Sequence, residues 1–219
     1  MQTSKDLNLK ITAKEDLGID RPQDTIVEYG NNFLKLEKYL FSSTSGLDSI
    51  KNGTHYDIGF KIWNSTPAIG DYVGWVNLMS GIYARTRKPN TAYKVGDLVT
   101  PLETNLMSYY KCTTAGTTSP HPANFLNTSE TFYDVDNAKE WKPSFSWKKD
   151  EVIFATTGDK TYYMKCEKAG VSELNEPVWS KVNVDTTVND GTVTWRKMQN
   201  IKWQRAGVSA QFRPFGKIE

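Results

Sequence analysis

Two stretches of the chain repeat one another: Tyr109-Tyr-Lys-Cys112-Thr-Thr-Ala115-Gly116 and Tyr163-Met-Lys-Cys166-Glu-Lys-Ala169-Gly170. The sequence numbers of the two cysteines differ by 54 (166 − 112 = 54). Self-similarity at a fixed offset indicates a repeated supersecondary unit. We therefore expect two modules, at residues 93–143 and 144–199.

Further pairs of residues fall on the same offset. They are Tyr93-Lys-Val-Gly-Asp-Leu-Val99 with Trp147-Lys-Lys-Asp-Glu-Val-Ile153, Trp141 with Trp195, and Asp136 with Asp190. Several matches in one register are not expected by chance. This alignment predicts that each module ends with a structural tryptophan, and that the two cysteines occupy equivalent buried strand positions.

Each module has the local signals of a short antiparallel unit. Thr157-Gly-Asp-Lys160 has the chemistry of a tight hairpin turn, and residues 161–166 alternate as a return strand. The Ala-Gly pairs at residues 115–116 and 169–170 are predicted to be turns that use the positive φ that glycine permits. Asn189-Asp-Gly predicts a second hairpin before Val193-Thr-Trp195.

The predicted fold class is mainly β, with a short N-terminal arm and helix followed by two tandem small antiparallel β modules. Residues 1–65 are predicted to be an arm and docking region with one short helix near 31–41. Residues 66–92 are predicted to be a half-repeat-like β segment and loop, because Val73-Gly-Trp75 echoes Val193-Thr-Trp195. Residues 200–219 are predicted to be a C-terminal tail.

The charge and hydropathy of the chain limit the classes of partner that we expect. The chain has 27 Lys and Arg residues and 25 Asp and Glu residues. This near balance of charge gives no reason to expect nucleic acid as the partner. The polar N-terminus does not resemble a signal peptide, and no apolar run approaches the ~20 residues of a membrane span. We expect a protein made in a cytoplasm, without membrane insertion.

Motifs for catalysis and cofactors are not found in the sequence. His55 and His121 form no metal-ligand cluster, and no phosphate-binding or dinucleotide-binding loop occurs. A Cys112–His121 catalytic pair is disfavoured because the repeat accounts for the cysteine. Asp150–Glu151 and Asp134/Asp136 are candidate carboxylate pairs for a glycosidase, but their positions favour turns and loops. We expect no enzyme activity, no cofactor and no metal.

Aromatic side chains are the candidate contacts to a glycan or a protein, because rings stack on sugars and fill interfaces. At least half of them are expected to be core residues. The candidates are Tyr93, Tyr109, Phe125, Trp147, Tyr162 and Trp179.

Over about residues 71–199, the modules resemble small repeats of tail fibres, baseplate and collar appendages and other virion proteins of tailed bacteriophages. The residues that carry the resemblance are the Tyr-x-Lys-Cys-x-x-Ala-Gly motif and Val188-Asn-Asp-Gly-Thr-Val-Thr-Trp195. The first module departs from it at Asp136-Asn-Ala-Lys-Glu-Trp141. Its opening, Tyr93-Lys-Val-Gly-Asp-Leu-Val99, is also similar to the small chitin-binding modules of chitinases.

The resemblance implies a structural or accessory subunit of a phage particle, at the neck, collar, baseplate, fibre or head surface. Residues 1–65 would anchor it, and its partners would be other virion proteins and copies of itself. A virion protein released by lysis needs no signal peptide. The alternative is a carbohydrate-binding protein that attaches to cell-surface glycan. The location on the particle, the symmetry and the packing of the two modules stay open.

Overall fold

The computed structural model describes residues 50–101, 107–126 and 129–219, together with short pieces at 2–3, 10–11, 43–44 and 46–47. The predicted helix near 31–41 and most of the predicted N-terminal arm lie outside these residues. The prediction of a mainly β protein is confirmed for the described part of the chain.

The strands are short, and Trp179–Lys181 forms a 3₁₀ turn. In chain order the strands are β1 (Gln2–Thr3), β2 (Lys10–Ile11), β3 (Ser43–Thr44), β4 (His55–Tyr56), β5 (Lys61–Asn64), β6 (Tyr72–Asn77), β7 (Gly81–Ile82), β8 (Arg85–Thr86), β9 (Ala92–Tyr93), β10 (Leu98–Thr100), β11 (Ser108–Thr114), β12 (Gly116–Thr117), β13 (Thr131–Tyr133), β14 (Lys139–Glu140), β15 (Ser146–Trp147), β16 (Val152–Phe154), β17 (Tyr162–Lys168), β18 (Gly170–Val171), β19 (Thr187–Asp190), β20 (Val193–Gln199), β21 (Lys202–Val208) and β22 (Phe212–Lys217).

The chain divides into two compact units. Unit 1 consists of Met1–Ile50, Tyr56–Met79 and Gln211–Glu219, and unit 2 consists of Lys51–His55 and Ser80–Ala210. Unit 2 contains both repeats. In sequence, its main segment is inserted between the second and third segments of unit 1.

The second repeat forms a module of its own, here module B, from β14 to β20. Its main sheet has the order β14-β16-β17-β20-β19, and β15 pairs with β18 beside it. Both predicted hairpins are present: β16 and β17 flank Gly158 (φ 73°), and β19 and β20 flank Gly191 (φ 62°). The first was predicted to have a tight turn, but seven residues, 155–161, separate its strands.

The first repeat, here module A, has the same strand order but a discontinuous chain. It consists of β8–β13 and β21, in the order β13-β21-β11-β10-β8, with β9 paired to β12. Strands β13 and β21 correspond to the β19–β20 hairpin, and the whole of module B lies between them in sequence. The modules are therefore nested rather than tandem. Residues 200–219, predicted to be a tail, contain β21 and β22.

The nesting changes the alignment of the tryptophans. Cys166 pairs with Trp195 across β17 and β20, and Cys112 pairs with Trp203 across β11 and β21. Trp203 is therefore the counterpart of Trp195, and the predicted equivalence of Trp141 with Trp195 is wrong. The strand that completes module A comes from beyond its predicted end at residue 143.

A buried carboxylate joins the strands of each module. In module B, Asp190 accepts hydrogen bonds from the indole nitrogens of Trp141 (2.8 Å) and Trp195 (3.0 Å) and from the Glu173 amide (2.9 Å). Burying these polar groups together is favourable only because each has a partner. The side chain of Asp190 thereby connects the start of the module to its final hairpin.

Asp134 has the same position in module A. Its carboxylate accepts hydrogen bonds from the Trp203 indole (2.9 Å), the Ser119 amide (3.1 Å) and the Arg87 guanidinium (2.7 and 2.6 Å). Asp134, rather than the predicted Asp136, is thus the counterpart of Asp190.

Arg87 and Trp141 are the residues that differ between the two carboxylate sites. Their sequence numbers differ by the offset of the repeat (141 − 87 = 54), and they donate to equivalent carboxylates. The true match of Trp141 in this register is therefore Arg87.

The sheet of unit 1 repeats the same arrangement. Its order is β22-β6-β5-β3, with β3 parallel to β5 and the other neighbours antiparallel, as for the corresponding strands of modules A and B. The amide of Gly59 donates to Asn77 O (2.8 Å), as that of Gly96 donates to Cys112 O (2.9 Å) in module A. Trp75 lies on β6, the counterpart of β11, and so does not correspond to Trp195 as predicted.

Gly116 and Gly170 are required for close packing. Neither has a positive φ, so the predicted role in a turn is wrong. A Cβ on Gly116 would lie 2.4 Å from Gln199 O, and a Cβ on Gly170 would lie 2.4 Å from Thr192 O. The short strand that contains Gly116 packs on the backbone of Gln199, shortly before β21. The strand that contains Gly170 packs on the backbone of Thr192, directly before β20.

The apolar core is divided among the modules. Module B buries a cluster around Trp147, Ile153 and Trp195, and module A buries one around Tyr110 and Trp203. A third cluster, Val135, Phe154, Tyr163 and Met198, contains residues on both sides of the crossing from module A to module B. The two modules therefore pack together.

We predict that Gly116→Ala and Gly170→Ala each lower the free energy of unfolding by at least about 2 kcal/mol, because a methyl group so close to a carbonyl forces the backbone apart. Gly46→Ala is the matched control, since a Cβ there meets nothing within 4 Å, and its effect should be within about 0.5 kcal/mol. Urea unfolding measures all three. Equal stability of the three variants would contradict the close-packing role.

We predict that Arg87→Ala lowers the stability by about 3–5 kcal/mol, because Asp134 keeps its buried charge without the cation. Arg87→Trp places the residue of module B at this position and should cost less, because an indole N–H can donate to the carboxylate. Lys139→Ala removes an ion pair with Glu151 in which the lysine side chain is 61% exposed, and should cost at most about 1 kcal/mol. Thermal unfolding ranks the three; an Arg87→Ala effect no larger than that of Lys139→Ala would refute the account.

Candidate functional site

Three of the six predicted aromatic contact residues lie in the cores of their modules. Phe125 is 4% exposed in module A, and Trp147 and Trp179 are 1% and 9% exposed in module B. Phe125 packs against Tyr110 with ring centroids 4.7 Å apart. These three rings stabilise the fold, and Trp179 also lines a cavity.

Tyr93 and Tyr109 are half-buried on module A, and each ring is held against the protein. The Tyr93 ring packs edge-on against Trp203 (5.3 Å), and its hydroxyl oxygen accepts a hydrogen bond from the Lys88 amide (2.9 Å). Burial raises the pKa of Tyr93, although that hydrogen bond acts in the opposite direction. The Tyr109 ring lies beside Gly207, where a Cβ would approach it to 3.0 Å.

Tyr162 is half-buried and borders a cavity of about 380 Å³ in module B. The apolar part of the wall includes Tyr162, Met164, Pro177 and Trp179, and the polar part includes Asp159 and Glu176. This volume lies at the small end of the range of about 300–1,000 Å³ for pockets that bind small molecules. The cavity is the candidate functional site.

Lys197 also lines the site. It is only 7% exposed, and its ammonium group donates to Trp179 O (2.9 Å) and Val182 O (3.1 Å). The same group lies 4.2 Å from the centroid of the Tyr162 ring, as a cation–π contact. Lys197 thereby fixes the segment around the 3₁₀ turn on the sheet and orients Tyr162.

Two carboxylates border the cavity. Glu176 accepts hydrogen bonds from the Thr156 amide (3.0 Å) and the Trp179 indole (2.7 Å) on one oxygen, and its other oxygen contacts the Thr156 hydroxyl. Asp159 accepts a hydrogen bond from the Thr161 amide (2.8 Å). Hydrogen bonds from the hydroxyl and the amide of Thr161 lower the pKa of Asp159, so it is ionised at neutral pH.

The carboxylate pairs considered for a glycosidase have structural partners. Asp134 is bound by Arg87, as described above, and Asp136 forms an ion pair with Lys160 (2.9 Å). Asp150 adopts a positive φ (67°) in a turn, where the side chain of its neighbour Glu151 accepts a hydrogen bond from the Lys148 amide (2.7 Å). Within the described residues, no group of three or more His, Cys, Asp or Glu side chains is arranged to hold a metal ion.

The cysteines are buried and unpaired with each other. The thiol of Cys112 donates to Thr114 O (3.2 Å), and that of Cys166 donates to Lys168 O (3.3 Å). Burial raises the pKa of each to about 11. His121 is exposed, while Cys112 is fully buried. The equivalent bonds in the two modules support a packing role.

Comparisons with protein-family models, with curated proteins and with solved structures found no match. In the part of the chain that the structure describes, no helix is long and apolar enough to cross a membrane.

The sequence prediction included Tyr162 and Trp179 but missed Lys197, Asp159 and Glu176. A signal for Lys197 was present: Val193, Trp195 and Lys197 alternate along β20, and all three are buried. A lysine in register with two core residues indicates a cation held inside the protein. No comparable pattern indicates the two carboxylates, which lie in loops.

We predict that both thiols are unreactive toward iodoacetamide in the native protein between pH 7 and 9, because the thiolate is scarce below a pKa of about 11. Unfolding in guanidinium returns each pKa to about 8.5, so two thiols per chain should then react. Mass spectrometry counts the modified sites. Rapid native labelling of either cysteine at pH 8 would contradict the packing role.

Proposed function

We propose that this chain is a non-catalytic structural subunit of a larger particle, of the kind found in the neck, collar, baseplate, fibre or head surface of a tailed bacteriophage. Its N-terminal region, residues 1–65, anchors it to other virion proteins and to copies of itself. Modules A and B face outward from the particle.

The observation that carries this proposal is the nesting of module B within module A. Two chain segments, rather than one linker, connect the modules. Where they cross, Asn200 Nδ2 donates to Val135 O (2.9 Å) and Asn200 Oδ1 accepts from the Val135 amide (3.1 Å). Domains joined by one exposed linker are expected to move relative to each other. The double connection supports presentation of module B in a fixed orientation.

Contacts between the modules support the same conclusion. The Tyr163 hydroxyl of module B donates to Thr117 O of module A (3.1 Å), and Gly116 lies against the backbone of Gln199. Contacts of this kind resist rotation of module B relative to module A, so that module B keeps a fixed orientation. Asn200 is fully buried and also donates to Lys160 O (2.9 Å), so this junction has the character of a core.

Glycan binding is the second candidate function, and the cavity of module B favours it. Tyr162 provides an aromatic ring at the border of a small pocket that also has carboxylates and hydroxyl groups. Neutral glycans are bound by this combination of an apolar ring and hydrogen-bond acceptors. The two functions are compatible, since a virion subunit can attach to a cell surface.

We predict that the full chain, 24.8 kDa, forms a defined oligomer in solution, and that a chain beginning at Ser43 is a monomer. The shorter chain keeps β3 (Ser43–Thr44), the edge strand of the unit 1 sheet, so that sheet remains complete. Light scattering coupled to size exclusion measures both masses.

A third chain, in which a Gly/Ser linker of equal length replaces residues 1–42, is the matched control for length. It should behave as the shorter chain does. Oligomers of equal size from all three would place assembly in residues 43–219 and show that residues 1–42 are not needed for it. Monomers throughout would refute self-assembly through the N-terminal region.

A further inference from the structure

The cavity of module B lies where module A has two packed aromatic rings. The offset of the repeat relates Tyr110 to Met164 (164 − 110 = 54) and Phe125 to Trp179 (179 − 125 = 54). In module A the Tyr110 ring packs against Phe125, and its hydroxyl donates to Phe125 O (2.9 Å). Met164 has no ring at the equivalent position, and the space beside Trp179 is open.

Two other differences shape the cavity. Tyr162 stands where module A has Ser108, by the same offset (162 − 108 = 54). Lys197 on β20 is the cross-strand neighbour of Met164 on β17, as Arg205 on β21 is of Tyr110 on β11. Arg205 donates to the Ser108 hydroxyl (2.8 Å), whereas Lys197 lies under an aromatic ring. Module B thus has an aromatic wall at a position where module A has a polar contact.

The charges around the cavity select its ligand. The Lys197 ammonium has three N–H groups, and two carbonyl oxygens and the Tyr162 ring are its partners. The charged groups left to a ligand are the carboxylates of Asp159 and Glu176, which repel anions such as phosphate or uronate. Lys197 in turn disfavours a second cation on the same ring.

We propose that this cavity binds one neutral pyranose ring of a glycan. The apolar face of the sugar packs on Tyr162 and Pro177, and its hydroxyl groups donate to Asp159 and to the Glu176 oxygen that contacts Thr156. Carboxylates are strong acceptors for such bonds. This inference rests on the second candidate function and adds the site, the ligand class and the restriction to module B.

The test is a titration of the full ¹⁵N-labelled chain, followed by amide chemical shifts. The probes are the methyl pyranosides of glucose, galactose, mannose and N-acetylglucosamine, with methyl glucuronide as the acidic member, each to about 50 mM because single sugars bind with millimolar affinity. We expect at least one neutral pyranoside to shift amides of Asp159, Tyr162 and Trp179, and the glucuronide to bind at least tenfold more weakly.

Tyr162→Ala should weaken binding at least tenfold, because it removes the aromatic wall. Tyr133→Ala is the matched control: Tyr133 is also half-buried and also has a lysine, Lys202, over its ring (5.4 Å), but it lies in module A. Asp159→Asn removes a charge at an exposed position, and should relax the discrimination against glucuronide without loss of folding.

Binding of glucuronide equal to that of the neutral sugars would overturn the ligand class. A neutral sugar that shifts amides only outside the cavity would overturn this site and leave glycan binding standing. No shift with any neutral member of the panel would overturn the pyranose site. The structural-subunit proposal is judged separately, by the masses of the chains described above.

Discussion

A buried carboxylate in each module is the constraint on which the rest of unit 2 depends. Asp190 draws the indole groups of Trp141 and Trp195 to one point, and Asp134 does the same for Arg87 and Trp203. A charge placed at the edge of a small core is tolerated only where donors surround it. One donor lies directly after the first strand of the module (β14 or β8) and the other on its final strand (β20 or β21), so the carboxylate connects these two parts of the module. The tryptophans then supply much of the buried apolar surface.

This shared requirement explains how one module can interrupt another. Module A needs Asp134 at the end of one segment and Trp203 near the start of another, and both residues lie outside β14–β20, the strands of module B. Because the two segments lie side by side in the sheet, their free ends are adjacent. A complete module can be inserted there without disturbing a hydrogen bond of the ladder. The pairing of Phe132 with Trp203 shows that ladder unbroken.

The sequence alone was sufficient for the β class, the two copies of the Tyr-x-Lys-Cys motif and the hairpins at Gly158 and Gly191, since these depend on local turn chemistry. It was insufficient for the nesting. The offset between the two cysteines relates Arg87 to Trp141, and the same offset relates Trp141 to Trp195. The second match is a coincidence, and it concealed Trp203, the true counterpart of Trp195. Strand pairing across a long insertion leaves no local signal. For the candidate site, aromatic content pointed to Tyr162, but the burial that orients it depends on contacts distant in sequence.

The nesting also sets an order in time. A chain that emerges from the ribosome completes β20 before β21, and β21 before β22. Module B is therefore the first whose strands are all available, module A follows, and the sheet of unit 1 is completed last. Until β21 emerges, the carboxylate of Asp134 lacks its indole partner and the edge of β11 is unpaired. The interval in which module A is exposed to aggregation is thus set by the rate of translation through module B.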